Sequence, residues 1–206
     1  MRDLCRVDKT DVRQCDVVQA LYSKCGLVKE MRRINMAIYQ KHKQWAQKWE
    51  ALMDVVDARG IVAILGNRGS GKTAMAVAAM KDQMNQGIDS YYCKLADFFI
   101  DIKDSFDRPD VTQRSVIERY ASPQVLVVDE AHNRSESQWE NTLFTHLVDV
   151  RYDAKRTTIM ISNQKRDEFR KSVGASIYDR LCETGGVIEC GWGSFRKTDE
   201  QQKARR

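Results

Sequence analysis

Apolar positions along this chain follow two periods. Ile61-Val62-Ala63-Ile64-Leu65 is an unbroken apolar run, the pattern of a strand buried on both faces. Four more short runs follow: Ser90-Tyr91-Tyr92-Cys93; Gln124-Val125-Leu126-Val127-Val128, announced by Pro123; Thr157-Thr158-Ile159-Met160-Ile161; and Val187-Ile188-Glu189-Cys190, introduced by Gly185-Gly186. Between them the apolar spacing changes to three and four. This predicts a helix over Thr73–Gln86, ended by Gly87, and others through Leu95, Phe98, Phe99, Ile102 and Phe106, over Val111–Tyr120, and through Trp139, Leu143, Leu147 and Val150, with helical patterning on to Cys182. Strands alternating with helices predict an α/β fold, a five-stranded parallel sheet between helices. Right-handed crossovers then put the loops after the strands on one edge.

Upstream the pattern differs. From Leu27 to Ala58 there is no glycine or proline, and Met31, Ile34, Ile38, Trp45, Trp49, Leu52 and Val56 recur at steps of three, four and seven. That is one helical stripe, in one helix or two. Trp45–Val56 is expected to pack on the sheet; the earlier half either packs likewise or forms an arm that binds a partner. Residues 1–26 are polar and mixed, with a short helix expected over Asp16–Ser23. The expected division is a small helical region over 1–43, a core over 44–196 and a charged tail over 197–206.

Composition narrows the setting. Hydrophobic residues make up 42% and charged residues 31% of the 206 positions, a globular profile. No run approaches the ~18 apolar residues of a membrane helix, and the start, Met1-Arg2-Asp3-Leu4-Cys5-Arg6, lacks the apolar core of a secretion signal. A cytoplasmic protein with no membrane partner is expected. The net charge of +5 permits nucleic-acid contact without demanding it. Cys5, Cys15 and Cys25 fall ten apart with no C-x-x-C pair, which argues against zinc; Cys93 and Cys190 sit in apolar runs and read as reduced core residues.

Chemistry enters directly after the first strand. Gly66-Asn67-Arg68-Gly69-Ser70-Gly71-Lys72-Thr73 fits G-x-x-x-x-G-K-[ST]. The glycines let backbone wrap a phosphate, and the amides and helix N-terminus that follow supply positive partial charge. Lys72 would reach the β- and γ-phosphates of ATP or ADP, and the Thr73 hydroxyl would bind Mg²⁺. The third strand ends in Asp129-Glu130: Asp129 is a second candidate Mg²⁺ ligand and Glu130 a general base that polarises water. Two acids there suit hydrolysis better than simple binding. Asp129-Glu130-Ala131-His132 also spells a helicase box, but such helicases need two complete domains of this kind and the chain has length for one. The fourth strand runs into Ser162-Asn163, where the amide either senses the γ-phosphate or only makes a turn. Residues just before Gly60 are the expected wall of the base pocket.

The order GNRGSGKT, VVDEAH, TTIMISN resembles AAA+ ATPases. Ser176-Ile177-Tyr178-Asp179-Arg180-Leu181, followed by Gly191-Trp192-Gly193-Ser194-Phe195-Arg196, is similar to the closing motifs of the DnaC/IstB family, the bacterial and phage replicative-helicase loaders and related transposition ATPases. Leu95-Ala96-Asp97-Phe98 through Lys103-Asp104-Ser105-Phe106 is similar to that family's helix after strand two. The resemblance covers about residues 44–196. It implies an AAA+ core with no C-terminal lid domain, Asn163 as a sensor, Arg180 as an arginine finger acting on a neighbour's γ-phosphate, and Arg196 as a second sensor. The residues alone leave Arg180 free to pair with Asp179 or Glu183, and Arg196 to cap the last strand. The resemblance also implies a cytoplasmic protein of bacterial or phage origin that self-associates with ATP and acts with a hexameric replicative helicase on single-stranded DNA. Lys103, Arg108, Arg114 and Arg119 lie where the family places a DNA-binding element. Phe98, Phe99 and Phe106 there suit base stacking, and suit core packing equally.

Three other readings stay open. An IstB-like helper would serve a transposase on DNA. A small-molecule kinase would need lid arginines and an acceptor pocket. A pure adaptor would bind nucleotide without hydrolysing it.

Overall fold

The computed structural model describes residues 24–32, 34, 39, 41–135 and 137–195. Five strands, β1 (Ile61–Gly66), β2 (Ser90–Lys94), β3 (Val125–Asp129), β4 (Thr157–Ser162) and β5 (Gly186–Cys190), pair in parallel in the order β2-β3-β4-β1-β5. Each begins within a residue of its apolar run. The helices are α1 (Lys29–Arg32), α2 (Lys43–Asp57), α3 (Lys72–Asn85), α4 (Leu95–Asp104), α5 (Gln113–Ala121), α6 (Gln138–Asp153), α7 (Arg166–Val173) and α8 (Ala175–Thr184), with a 3-10 turn at Ser105–Asp107 after α4. The patterning that ran on to Cys182 is two helices, because Gly174 between them takes φ 84° and ψ 163°, a conformation essentially reserved for glycine.

The unbroken apolar strands have a core on each face. Ile61, Ala63 and Leu65 point into one with Phe98, Tyr120, Phe144, Phe169 and Leu181; Val62 and Ile64 point into the other with Trp45, Leu52, Met75 and Met80. Thus α2 and α3 cover one face and α4 to α8 the other. Leu27 is buried on the α2–α3 face, and Met31, Ile34 and Tyr39 pack against it. The described part of the upstream stripe therefore lies on the sheet. The short helix expected over Asp16–Ser23 lies outside the described residues.

Arg151 of α6 is wholly buried. Its guanidinium donates to the carbonyls of Ala121 (2.9 Å), Pro123 (2.8 Å), Tyr120 (3.3 Å) and Thr157, and to the Thr158 hydroxyl (2.9 Å). It gathers carbonyls from the end of α5, the approach to β3 and the start of β4. Burial, and then neighbouring Arg156, push its pKa down to about 9, so it stays charged near neutrality. Among the described residues no helix is long and apolar enough to cross a membrane.

Candidate functional site

The strand order creates the site. β4 lies between β1 and β3, so the residue that follows β4 falls between the loop after β1 and the end of β3. Their C-terminal ends open into a cavity of about 740 Å³ lined by Arg68, Gly69, Gly71, Lys72, Thr73, Asp129, Glu130, His132 and Asn163, among others.

The loop from Gly66 to Gly71 is held by its own groups and by the chain's last described segment. Lys72 is buried, and its ammonium donates to the carbonyls of Gly66 (2.7 Å) and Asn67 (2.9 Å) and to Asn163 Oδ1 (2.8 Å). Ser70 is fully buried, its hydroxyl donating to the Asn67 carbonyl at 2.8 Å. Arg68 is exposed at the rim. The Trp192 indole N–H donates to the Ser70 carbonyl at 2.9 Å, and the Phe195 amide to the Gly69 carbonyl at 2.9 Å. Gly71 caps α3 with φ 83°, and a Cβ there would sit 3.0 Å from the Tyr39 ring, 3.1 Å from Trp45 Nε1 and 3.2 Å from the Phe195 ring. Both conformation and space therefore demand glycine.

Asp129 is buried and has three donors. Its Oδ2 accepts from the Thr73 hydroxyl at 2.9 Å and from the Tyr92 hydroxyl at 2.7 Å; its Oδ1 accepts from the Glu130 amide at 2.7 Å. Two hard oxygen groups in contact, a hydroxyl and a carboxylate beside a phosphate-type loop, fit Mg²⁺, which takes few protein ligands and completes its shell with water and phosphate. No cluster of three or more His, Cys, Asp or Glu side chains suited to a metal occurs among the described residues. Glu130 adopts φ 53°, which costs a residue with a Cβ about 1–2 kcal/mol. Bonds from the Ala131 amide to Ile161 O (2.9 Å) and from the Asn133 amide to Glu130 O (2.7 Å) hold this turn. The half-exposed Glu130 carboxylate lies 3.4 Å from the Lys94 ammonium.

Lys72, Thr73, Asp129, Glu130 and Asn163, far apart in sequence, thus meet at one cavity. Arg180 does not join them in its own chain. It sits on α8, paired with Asp149 of α6 at 3.1 Å, donating to the Ser176 carbonyl at 3.1 Å and lying 5.3 Å over the Tyr152 ring. The partner is neither Asp179 nor Glu183, because α8 turns this face to α6; Glu183 accepts from the Tyr152 hydroxyl instead. Arg196 lies outside the described residues.

The base-pocket expectation is corrected. Ala58 and Arg59 line a separate cavity with Ile61, Tyr152, Asp153, Lys155, Glu183 and Thr184, because the chain enters β1 there, at the opposite end of the strand from the phosphate loop. The wall beside Gly71 is instead Ile34, Tyr39 and Phe195, with Tyr39 stacked on Trp45 at 5.3 Å and edge-on to Phe195 at 5.1 Å. On the other flank Phe98 and Phe99 are buried in the core, while Phe106 is 59% exposed. Arg119 is paired with Asp101, Arg114 with Glu118 (3.2 Å), and Lys103 lies over Trp139; Arg108 is exposed.

Local pattern gives no sign of a site role for Tyr39, Tyr92 or Lys94, and marks Trp192 and Phe195 only as part of a motif. Each acts through a contact with a remote segment, for which local spacing carries no signal.

A family model described as IstB-like ATP binding protein matches residues 8–204. The chain is similar to the replicative helicase loader DnaC of Escherichia coli strain K12, 26% identical over 132 residues, 64% of this chain and 54% of that protein. It is likewise similar to the replicative helicase loader DnaC of Buchnera aphidicola subsp. Baizongia pistaciae, 27% identical over 134 residues, again 64% and 54%. The chain spans about half the length of the curated relatives it matches. Among solved structures, a crystal structure of the DnaC helicase loader aligns with TM-score 0.67 at 20% identity, over 79% of this chain and 99% of that one. AMPPCP-bound DnaA from Aquifex aeolicus aligns with TM-score 0.63 at 20% identity, over 78% and 50%. At such identities the likeness shows the fold alone, the parallel five-stranded sheet between helices.

Proposed function

This chain belongs to the family of IstB-like ATP binding proteins, and on that premise we propose that it is a Mg²⁺-dependent ATPase that loads a hexameric replicative helicase onto single-stranded DNA. The observation that carries the reading is the convergence of Lys72, Thr73, Asp129, Glu130 and Asn163 on one cavity at the carboxyl edge of the sheet. Lys72 and the amides of residues 66–73 bind the phosphates. Thr73 and Asp129 hold Mg²⁺, which when bound neutralises charge on the β- and γ-phosphate oxygens. Glu130 accepts the proton of the attacking water. Asn163, bonded to Lys72, reports loss of the γ-phosphate to β4. The aromatic wall of Tyr39 and Phe195 takes the base.

The shared site is part of the proposal. Arg180 of one subunit completes the cavity of the next, and ATP thereby joins subunits into an assembly that grips DNA and helicase. The choice of a helicase over a transposase is supported by the curated relatives, which are replicative helicase loaders. Within residues 1–43 the part upstream of Leu27 is proposed to hold the helicase, while Leu27, Ile34 and Tyr39 pack with the ATPase core over 44–196, the whole acting in the cytoplasm of a bacterial cell.

The test is a loading assay with purified hexameric helicase and protein-coated single-stranded DNA. The chain with ATP is expected to raise helicase-dependent unwinding. Glu130→Gln should keep ATP binding while cutting turnover by about 100-fold or more. Failure to bind the helicase, together with retention of a transposase, would sink the loader reading. Phosphate release only with an added acceptor would sink the ATPase reading.

A further inference from the structure

Tyr92 is a central residue of β2 and is 5% exposed. Its backbone is fixed from both sides. Strand β2 pairs with β3 in the register Tyr92↔Val127 and Lys94↔Asp129, and on the other edge the Tyr92 amide donates to the Cys25 carbonyl at 2.9 Å. From two residues upstream of the level of Asp129, the phenol ring reaches along the sheet and sets its hydroxyl 2.7 Å from Asp129 Oδ2. Core packing alone does not ask for that oxygen, since phenylalanine would fill the same space. A phenol buried this far needs an acceptor, and here the acceptor is the carboxylate beside the phosphate loop.

The arrangement around Asp129 has a chemical sense. Oδ2 accepts hydrogen bonds from the Thr73 and Tyr92 hydroxyls, and Oδ1 accepts one from the Glu130 amide, so the carboxylate is held at both oxygens. A Thr73 hydroxyl that donates its hydrogen bond to Asp129 keeps its oxygen lone pairs for a cation. Without the phenol, Oδ2 keeps only the Thr73 hydroxyl as a donor, and the carboxylate orientation is held less firmly.

We propose that Tyr92 is a positioning residue for divalent-cation binding, its hydroxyl locking the Asp129 carboxylate in the orientation that serves the cation together with Thr73. This rests on the reading of Asp129 and Thr73 as the Mg²⁺ ligands. It assigns to the second strand a role in the site that the motif residues do not cover.

The experiment uses the full chain, Mn²⁺ as the probe and a non-hydrolysable ATP analogue, with free Mn²⁺ read by electron paramagnetic resonance. Tyr92→Phe should weaken Mn²⁺ binding in the ternary complex by about 10-fold, equivalent to about 1.4 kcal/mol. Affinity for a fluorescent ATP analogue in EDTA should stay at the wild-type value, which also reports an intact fold. An unchanged Mn²⁺ affinity overturns the proposal. So does a parallel loss of metal-free nucleotide binding, which would mark Tyr92 as merely structural. Asp129→Asn is the control: if it leaves Mn²⁺ affinity unchanged, the assignment of Asp129 as a ligand is what has failed, and the role of Tyr92 goes with it.

Discussion

Gly71 and Glu130 are the two residues at which backbone geometry most directly serves the site. The first admits three aromatic side chains against the start of α3; the second turns its carboxylate out of β3 at a conformational cost. Lys72 and Asn163 join the two ends of the same arrangement through a 2.8 Å bond. Beside Gly71 the aromatic wall makes a specific prediction. Tyr39→Ala should weaken ATP binding by about 10-fold, within the ~1–3 kcal/mol of base stacking, and leave inorganic triphosphate affinity unchanged. Isothermal titration with the two ligands separates these outcomes, and equal losses for both would place the base elsewhere. At this scale Lys72, Thr73, Asp129 and Glu130 were legible because each stands at a fixed covalent distance from a recognisable strand. Tyr39, Tyr92 and Lys94 were not, since their roles depend on which segments the fold brings alongside.

Among the elements, β1 was the easiest to read and the upstream stripe the hardest. A strand flanked by β4 and β5 and covered by helices on both faces has no polar side, so its sequence is apolar throughout. The stripe from Leu27 to Ala58 has helical periodicity across a break: α2 starts only at Lys43, after an extended His42. Periodicity reports the face a residue turns to the core, and a chain that bends can keep that face without staying one helix. Helix α6 carries the strongest stability prediction. Arg151 donates to the carbonyls of Tyr120, Pro123 and Thr157, and shares that of Ala121 with Arg156, so Arg151→Met, of similar length, removes several buried hydrogen bonds at once. The expected loss is on the order of 3 kcal/mol in a urea titration. A change below ~0.5 kcal/mol would mean that the loops before β3 and β4 are held otherwise. Nothing in the local sequence marked Arg151 as internal, since an arginine on a helix usually faces water.

For the whole molecule, the sheet order decides what meets what. With β4 between β1 and β3, the cavity gathers Asn163 with the phosphate loop and both acids, while α8 carries Arg180 to the Asp149–Tyr152 face of α6. An arginine that does not line its own chain's cavity fits a role on a neighbour's. Arg180→Ala should leave ATP binding by the single chain intact and lower turnover of the assembled protein on the order of 10³-fold. Mixing Arg180→Ala with Lys72→Ala subunits should restore part of that turnover, because some sites then combine two intact halves. Undiminished turnover in Arg180→Ala would remove the finger from the mechanism.

Short-range pattern was enough to mark the glycine-rich loop, the acidic strand end and the alternation that makes a doubly covered parallel sheet. These follow from nearest-neighbour chemistry: glycine where backbone must approach phosphate, apolar runs where both faces are buried, helical spacing between. The folded chain was needed to see that Tyr92 bonds Asp129, that Trp192 and Phe195 clamp the phosphate loop, that the wall beside Gly71 is Ile34, Tyr39 and Phe195, and that Arg180 pairs with Asp149. Those contacts join segments separated by tens of residues, and strand order, which short-range pattern does not encode, sets which of them become neighbours.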